Sequence, residues 1–307
     1  MSEFLTITLN PAIDLSSEAE KVHHTWKVRT VNERYDPGGG GINVARAIKE
    51  LGGEAEALFV AGGETGDMLD RLLEEVGIHR HRVANSGQTR INYMVRERSS
   101  QLEYRFITRG PELQADALDR CLEVVANHAG KYVIASGSLP GEVPADSYVR
   151  LAQAAAARHA RFVLDSSGAA LGEILAKAPV FLFKPSLGEL AALVGRELDE
   201  AGVRETACEL VARGGAEFVA VTMGAEGALL ASAQGVLRLP AIHVNVRSAV
   251  GAGDSFLAAM VVALSRGRTI EDAFRFGMAA GAAAVMTPGT QLCRRDDVER
   301  LYRALSA

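Results

Sequence analysis

The sequence predicts an α/β fold with a mostly parallel central sheet and helices on both faces. From Ala55 to Thr222, short apolar strands alternate with helical segments, which is the pattern of βαβ units. Nearly every predicted strand ends in small, polar or charged residues, so one edge of the sheet is rich in functional groups. Two polar segments, about 13–36 and 88–107, lack helical periodicity. We interpret them as insertions that form a small additional β layer.

Length and composition are consistent with one large domain spanning residues 1–307, with 48% hydrophobic and 23% charged residues. The net charge of −5 argues against a nucleic-acid-binding protein. The N-terminus does not resemble a signal peptide, and no apolar run is long enough to cross a bilayer. Three cysteines without a CxxC pair predict a reducing, cytoplasmic setting without disulfides or a structural zinc site.

The elements follow one another in a regular order. The strands predicted for the central sheet cover residues 4–9, 55–61, 131–135, 161–164, 180–183 and 218–222, followed by a hairpin at 228–231 and 235–239. The predicted helices cover residues 67–76, 115–129, 145–158, 187–194, 205–213, 256–264 and 271–286. The small β layer is predicted to contain a strand at 28–35 and a hairpin at 89–106. Among the seven histidines, His79 and His81 alone are spaced as metal ligands can be, and we interpret them instead as part of a surface turn.

The most informative stretch lies near the C-terminus. Gly251, Ala252 and Gly253 precede Asp254, which opens an apolar helix. The first N–H groups of a helix are unpaired and the local field is positive, so such an end suits a phosphate. Asp254 is placed to accept a proton from a hydroxyl that attacks this phosphate. The alternative is that Asp254 merely caps the helix after a glycine turn.

A second glycine-rich stretch, residues 38–41, leads into a helix that begins near Ile42. Glycines allow a ligand to approach the backbone closely. A dinucleotide fingerprint is excluded because its third glycine is missing, Asn43 standing in that place. The chain also lacks the GxxxxGK[ST], HExxH and GxSxG motifs.

For several other polar residues, the sequence leaves two interpretations open. Asp14 follows the first strand and lies where ligands bind in open α/β sheets, or it is a polar turn residue after a proline. Arg90 and Arg105, one on each arm of the hairpin, form a phosphate clamp or are solvated strand residues. Asn43 binds a sugar hydroxyl or caps its helix locally. Glycine turns, an acid at a helix N-terminus and basic residues on a β layer are together the parts that phosphoryl transfer to a hydroxyl requires.

The sequence resembles the ribokinase-like sugar kinases of the PfkB family over essentially its whole length. Two motifs carry the resemblance: residues 39–45 followed by Gly52 and Gly62, and residues 251–254. Residues 8–14 are similar to the branch that phosphorylates phosphosugars, and the glycine run, with 136–140 and 163–168, is most similar to the minor bacterial 6-phosphofructokinases. Kinases of fructose 1-phosphate and tagatose 6-phosphate usually carry a lysine where Gly40 stands, which favours fructose 6-phosphate.

The resemblance implies ATP-dependent phosphorylation of fructose 6-phosphate at its 1-hydroxyl, giving fructose 1,6-bisphosphate in glycolysis. Asp254 is then the catalytic base, and the N–H groups of Gly251, Ala252 and Gly253 hold the transferring phosphoryl group. The implied sugar-phosphate ligands are Asp14, Lys27, Gly39, Gly40, Gly41, Asn43, Arg90, Arg105 and Ser138. The implied ligands of ATP and Mg²⁺ are Lys184, Ser186, Glu189, Thr222, Gly224 and Gly227, with Glu189 serving the metal.

We interpret the β layer as a lid, a subunit interface or both, and we expect a homodimer formed through it. The resemblance implies that Arg29 reaches the neighbouring subunit's site through this layer. Two positions depart from the family pattern. Ser186 replaces the asparagine of the usual Asn-x-x-Glu motif, and Ser248 stands where many members have an aspartate, in a loop that binds K⁺ in relatives. Potassium dependence is therefore open. The alternatives to a 6-phosphofructokinase are a kinase of another phosphosugar and a catalytically silent sugar-phosphate-binding regulator.

Overall fold

A mostly parallel sheet forms the centre of the computed structural model, which describes residues 2–141, 143–168 and 170–306. The strands of these residues are β1 (Phe4–Thr8), β2 (Ala12–Ala19), β3 (Val31–Gly38), β4 (Ala55–Ala61), β5 (His79–Ala84), β6 (Arg90–Glu97), β7 (Glu103–Phe106), β8 (Tyr132–Ser136), β9 (Arg161–Asp165), β10 (Leu182–Phe183), β11 (Phe218–Thr222), β12 (Ala228–Ser232) and β13 (Gly235–Leu239). Within the described part of the chain, the central sheet has the order β13-β12-β11-β10-β9-β8-β1-β4-β5. Pairing is parallel from β5 to β11 and antiparallel for β12 and β13. The predicted α/β class and the terminal hairpin are confirmed.

Helices cover both faces of this sheet. They are α1 (Gly40–Glu50), α2 (Gly63–Glu75), α3 (Ala117–Asn127), α4 (Ser147–Ala156), α5 (Ala170–Lys177), α6 (Leu187–Val194), α7 (Glu200–Ala212), α8 (Ala252–Ser265), α9 (Ile270–Val285) and α10 (Arg295–Ser306). One apolar cluster joins α1, α2, α8, α9 and α10 to the sheet, and a second joins α3 to α7 to its other face. In β1, Phe4 belongs to the first cluster and Leu5 to the second, so the strand is buried on both sides.

Several elements differ from the sequence-based prediction. β2 forms in a stretch whose sequence has no clear strand pattern. It is extended because its backbone pairs with both β3 and β6. His79 and His81 lie in β5 and not in a surface turn, so that interpretation was wrong. Helix α7 begins at Glu200, five residues earlier than predicted, because the Asp199 side chain accepts a hydrogen bond from Gly202 N and caps it. α5 and α10 were not predicted.

A second, small sheet is formed by the two polar insertions. In the described ranges its strand order is β3-β2-β6-β7, and we call it the small sheet. The register places Asp36, Asp14 and Asn92 in one row across three of its strands. The next row contains Tyr35, Leu15, Tyr93 and Phe106. Because side chains alternate between the faces of a strand, the polar row and the largely aromatic row lie on opposite faces.

None of the helices in the described ranges has the length and apolar character needed to cross a membrane.

Candidate active site

The site lies at the carboxyl ends of the central strands, between the N-termini of α1 and α8. Helix α8 begins at Ala252, and its N-cap is Gly251, whose φ of 71° lies in the left-handed region. A β-carbon at Gly251 would also lie 2.5 Å from Leu292 Cδ2, which the flexible leucine side chain could relieve by moving, so it is the left-handed backbone conformation that favours glycine here. Asp254 lies in the first turn of α8 and is not its cap, and no side chain caps this helix. The capping alternative for Asp254 is therefore wrong.

Asp254 is held by a residue from the other end of the chain. Asn43, on the first turn of α1, donates from Nδ2 to Asp254 Oδ2 at 3.0 Å. Asn43 Oδ1 accepts from Arg46 Nη1 at 3.2 Å, which fixes the orientation of the amide. Arg46 also donates to Pro37 O at 2.9 Å and lies 3.4 Å from the Asp36 carboxylate. A continuous polar chain thus runs from the small sheet through α1 to Asp254.

The electrostatics of Asp254 depart strongly from those of an ordinary aspartate. Burial and the nearby negative charge of Asp165 raise its pKa to about 7, although the hydrogen bond from Asn43 and the charge of Lys184 act in the opposite direction. A carboxyl group that titrates near neutrality is suited to accept a proton at physiological pH.

Lys184 and Asp165 form a buried ion pair beside Asp254. Lys184 Nζ lies 3.0 Å from Asp165 Oδ1, and Ser136 Oγ donates to the other carboxylate oxygen at 3.2 Å. Burial lowers the pKa of Lys184, but the charge of Asp165 and the hydrogen bond to it raise it overall. A β-carbon at Gly253 would lie 3.3 Å from Lys184 Nζ, so the ammonium group lies against the N-terminus of α8. The positive end of α8 and the ammonium group of Lys184 therefore lie side by side, which is suited to binding an anion.

The glycine run passes between the ends of two strands. A β-carbon at Gly40 would collide with Ser136 Oγ and lie 2.7 Å from Gly137 N, and one at Gly41 would lie 2.5 Å from Ile7 O. Gly39 has a φ of 106°, which L-residues with side chains rarely adopt. Packing of the protein itself therefore requires these glycines, and it brings the N-terminus of α1 directly against the strand ends.

Asp14 lies in β2, so it is not a turn residue. Its Oδ1 accepts a hydrogen bond from Asn92 Nδ2 at 2.9 Å, and burial raises its pKa despite this bond and the charges of Arg46 and Arg90. Asp14 and Asp36 lie in the polar row of the small sheet, and Asp36 Oδ2 accepts a hydrogen bond of 2.5 Å from Thr290 Oγ1.

Arg90 is engaged with the backbone. Its guanidinium group donates to Asn10 O at 2.8 Å, to Thr108 O at 3.0 Å and to Pro11 O at 3.4 Å. These bonds tie the small sheet to the end of β1. Burial lowers the pKa of Arg90, and the charge of Asp14 offsets part of this effect.

The remaining residues assigned to the sugar phosphate are less closely assembled. Arg105 pairs in register with Met94, two residues after Asn92 on β6, so it lies on the same face of the small sheet as the polar row. Its guanidinium group lies 3.3 Å from the Glu103 carboxylate. Lys27 is exposed in the connection between β2 and β3. Ser138 is exposed after β8, and its Oγ accepts a long hydrogen bond of 3.5 Å from Asn10 Nδ2.

On the nucleotide side, Ser186 and Glu189 form a capping box at the start of α6. Ser186 Oγ accepts from Glu189 N at 3.3 Å, and Glu189 Oε2 accepts from Ser186 N at 2.7 Å and Ser186 Oγ at 2.9 Å. Ser186 thus caps α6, although the family pattern has asparagine at this position. The charge of Glu189 acts on the pKa of both Lys184 and Asp165, which places it beside the ion pair.

The other nucleotide-side residues follow β11. Thr222 forms a parallel bridge with Ser186. Gly224 has a φ of 58° and open space where a β-carbon would stand, whereas one at Gly227 would lie 2.6 Å from Ala241 N. Ser248 is buried before α8, and its Oγ accepts from Val250 N at 3.3 Å.

Sequence reasoning missed four members of this site: Asp165, Arg46, Asp36 and Asn92. Asp165 carried a usable signal, since it ends a predicted strand on the polar edge of the sheet. The other three act through side-chain contacts between distant elements, and no local pattern marks them.

The comparisons with known proteins agree with this geometry. A family model described as "pfkB family carbohydrate kinase" matches residues 7–297. The chain belongs to the pfkB family. A relative named ATP-dependent 6-phosphofructokinase isozyme 2, from Mycobacterium tuberculosis, is 43% identical over 301 residues, which cover 97% of this chain and 88% of the relative. A 1-phosphofructokinase from Xanthomonas campestris is 38% identical over 272 residues, covering 85% of this chain and 83% of that protein.

A crystal structure of phosphofructokinase-2 from Escherichia coli in complex with fructose-6-phosphate matches with a TM-score of 0.93 and 38% identity, covering 100% of both chains. The predicted family and ribokinase-like fold are thus confirmed. This pfkB family chain is a kinase, a phosphotransferase with an alcohol acceptor, and its relatives support activity on a sugar phosphate. Membership of a kinase family implies the use of ATP and Mg²⁺.

Proposed function

We propose that the chain phosphorylates the 1-hydroxyl of fructose 6-phosphate with ATP, giving fructose 1,6-bisphosphate. The observation that carries this proposal is Asp254, a half-buried carboxyl group with a pKa of about 7 in the first turn of a helix, beside the buried Lys184. The names and the full-length similarity of the 6-phosphofructokinase relatives support the choice of substrate.

In this proposal Asp254 accepts the proton of the sugar hydroxyl while the oxygen attacks the γ-phosphorus of ATP, and the bond from this phosphorus to the β,γ-bridging oxygen breaks to release ADP. Asn43 holds Asp254 Oδ2, which leaves Oδ1 to face the acceptor. The N–H groups of Gly251, Ala252 and Gly253, together with Lys184, stabilise the charge that spreads over the transferring oxygens. The hydroxyl oxygen thus attacks while Asp254 takes up its proton, and the negative charge of the phosphoryl group is balanced by the N–H groups and Lys184.

The nucleotide is assigned to the side of the site formed by Lys184, Ser186, Glu189, Thr222, Gly224 and Gly227. The donor set fits a metal–nucleotide pair, because Mg²⁺ is usually held by one or two carboxylates together with phosphate oxygens. The Glu189 carboxylate would serve the metal through Oε1, since both of its hydrogen bonds use Oε2. When bound, Mg²⁺ would neutralise negative charge on the phosphate groups.

The sugar phosphate is assigned to the side facing the small sheet. Asp14, Asn43 and the turn at Gly39, Gly40 and Gly41 hold the sugar, with Asp14 oriented by Asn92. The 6-phosphate is assigned to three cationic residues of the small sheet and its connections, Lys27, Arg90 and Arg105, with Ser138 nearby in the loop after β8. Arg90 would then combine phosphate binding with its backbone contacts.

A substrate panel tests the choice of phosphosugar. With Mg-ATP, we expect kcat/KM for fructose 6-phosphate to exceed the values for fructose 1-phosphate, tagatose 6-phosphate and fructose by at least about tenfold. The physical reason is that a β-carbon at Gly40 would collide with Ser136, so this turn cannot hold the lysine that kinases of the other phosphosugars usually carry at this position. ADP release measured by a coupled assay gives the comparison. The second candidate function, supported by the 1-phosphofructokinase relative, predicts instead that fructose 1-phosphate leads.

We further propose that the chain is a homodimer formed through the small sheet, which acts as a lid over the site, with Arg29 approaching the neighbouring subunit's site. The outward row of this sheet is apolar and open: Tyr93 is 44% exposed and Phe106 56% exposed. Trp26, Leu102 and Ile107 add exposed apolar surface to the same insertions. Exposed apolar surface of this kind is typical of a subunit interface.

Changing Tyr93→Asp tests the dimer. We expect the wild-type chain, of 32.6 kDa, to sediment as a dimer and the variant as a monomer, since an unpaired charge would be buried at the centre of the interface. Sedimentation velocity measures both. The matched control is Val194→Asp at the end of α6, which is 39% exposed and far from the small sheet in sequence, and it should stay dimeric. A monomeric wild-type chain, or a dimeric Tyr93→Asp variant, would refute this assembly.

A further inference from the structure

The edge strand β5 presents two histidines on one face. Its sequence alternates histidine and arginine from His79 to Arg82, so the two residue types lie on opposite faces. Arg80 pairs with Asp70 and Glu74, and Arg82 pairs with Asp67, all on α2. The arginine face is thus neutralised by acids of the adjacent helix, while the histidine face is directed to the other side of the sheet.

A carboxylate lies directly beside the histidines. Glu56 on β4 is the register partner of His79. Glu56 Oε2 lies 2.7 Å from His81 Nε2, and the His79 and His81 rings are 5.5 Å apart between centroids. One oxygen of Glu56 and one nitrogen of each histidine all lie within 4.8 Å of one another. Three side chains thus direct ligand atoms towards a common point.

A third histidine borders this group. His128 is buried, its Nδ1 lies 3.7 Å from Glu56 Oε2, and its Nε2 has no hydrogen-bond partner among the described residues. The adjoining cavity of about 360 Å³ is also lined by Ser2, Glu123 and Asn127. This cavity has room for water beside the carboxylate.

The ligand chemistry selects the class of ion. Two imidazoles and a carboxylate are typical ligands of Zn²⁺ and similar divalent transition metals, whereas Mg²⁺ prefers oxygen ligands alone. Zinc–nitrogen bonds of about 2.0–2.1 Å require the ligand atoms to move closer together than they are here. His79 is exposed and can rotate, and the metal would replace the proton shared by His81 and Glu56.

We propose that Glu56, His79 and His81 bind one divalent transition-metal ion, such as Zn²⁺, with a water molecule from the cavity beside His128 as a further ligand. Glu56 and His79 lie at the amino ends of their strands, whereas Asp254, Lys184 and Asp165 lie at the carboxyl edge. The ion therefore takes no part in phosphoryl transfer. It joins the edge strand β5 to β4 and stabilises the outer side of the sheet.

Zinc binding to the metal-free chain tests this proposal. After dialysis against a chelator, and without nucleotide because ATP binds metals, calorimetry should detect one equivalent of Zn²⁺ and no comparable binding of Mg²⁺ at this site. Saturating Zn²⁺ should raise the Tm by at least about 2 °C, since an ion that binds the folded state stabilises it. Co²⁺ in the same position should give visible ligand-field absorption that Zn²⁺ abolishes.

Variants localise the ion. His79→Ala and Glu56→Gln should each weaken Zn²⁺ binding by at least about tenfold and remove the Tm shift. His79 is exposed and makes no hydrogen bond among the described contacts, so its replacement leaves the fold intact, as circular dichroism will show. His243→Ala, an exposed histidine in another part of the chain, is the matched control and should bind zinc like the wild type. Absence of binding in the wild type, or equal binding in His79→Ala and the control, would overturn the proposal.

Discussion

Asp254→Asn lowers kcat by about a hundredfold or more, the scale expected when a general base is lost. The change keeps the size of the side chain, and the amide oxygen of the new residue can still accept the hydrogen bond from Asn43 Nδ2. What it removes is the ability to take up a proton near pH 7, which burial and the charge of Asp165 give to the carboxylate. Steady-state kinetics with Mg-ATP and fructose 6-phosphate measure the effect, and calorimetry measures whether the sugar phosphate still binds.

The control for this change is Asp199→Asn. Asp199 also stands at a helix N-terminus, where it accepts a hydrogen bond from Gly202 N at 2.8 Å, and asparagine caps a helix equally well. The control should keep its kcat, its KM and its stability. An unchanged kcat in Asp254→Asn would exclude Asp254 as the base. Sugar-phosphate binding without turnover in both the wild type and the variant would support the regulator alternative.

The sequence predicted those parts of the site that have a local signature. The glycine turn before Asp254 and the apolar run after it place the aspartate in the first turn of a helix, and the structure has it there. In the same way, the alternation of apolar strands with helical segments predicted the strands of the central sheet other than the edge strand β5. These features depend on neighbouring residues, whose preferences are visible in a short window.

The contacts that tune Asp254 could not be predicted in this way. Phe183 of β10 pairs with Leu164 of β9, and Lys184 and Asp165 are the residues that follow them in sequence. The ion pair between Lys184 and Asp165 therefore depends on the strand order. The strand β5 was missed because its alternation of histidine and arginine is polar on both faces. Its arginines are neutralised by α2 and its position is set by β4, which are tertiary effects.

The buried ion pair beside Asp254 leads to the second large effect. Lys184→Met and Asp165→Asn should each lower the free energy of unfolding by about 3–5 kcal/mol, because each leaves a buried charge without its partner. Urea unfolding measures this loss. Lys177→Met, on the exposed face of α5, is the matched control and should change stability little, since surface ion pairs contribute weakly.

The two variants should differ in how they change the pH dependence of catalysis. Activity requires the deprotonated form of Asp254, so kcat/KM should fall as the pH decreases through about 7. The charge of Lys184 lowers the pKa of Asp254, so Lys184→Met should move this acid limb to higher pH. The charge of Asp165 raises the same pKa, so Asp165→Asn should move the limb to lower pH. If the ion pair were purely structural, both variants would lose activity but the acid limb of kcat/KM would not move in opposite directions. Acid limbs at the same pH as in the wild type would therefore show that the pair does not change the pKa of Asp254.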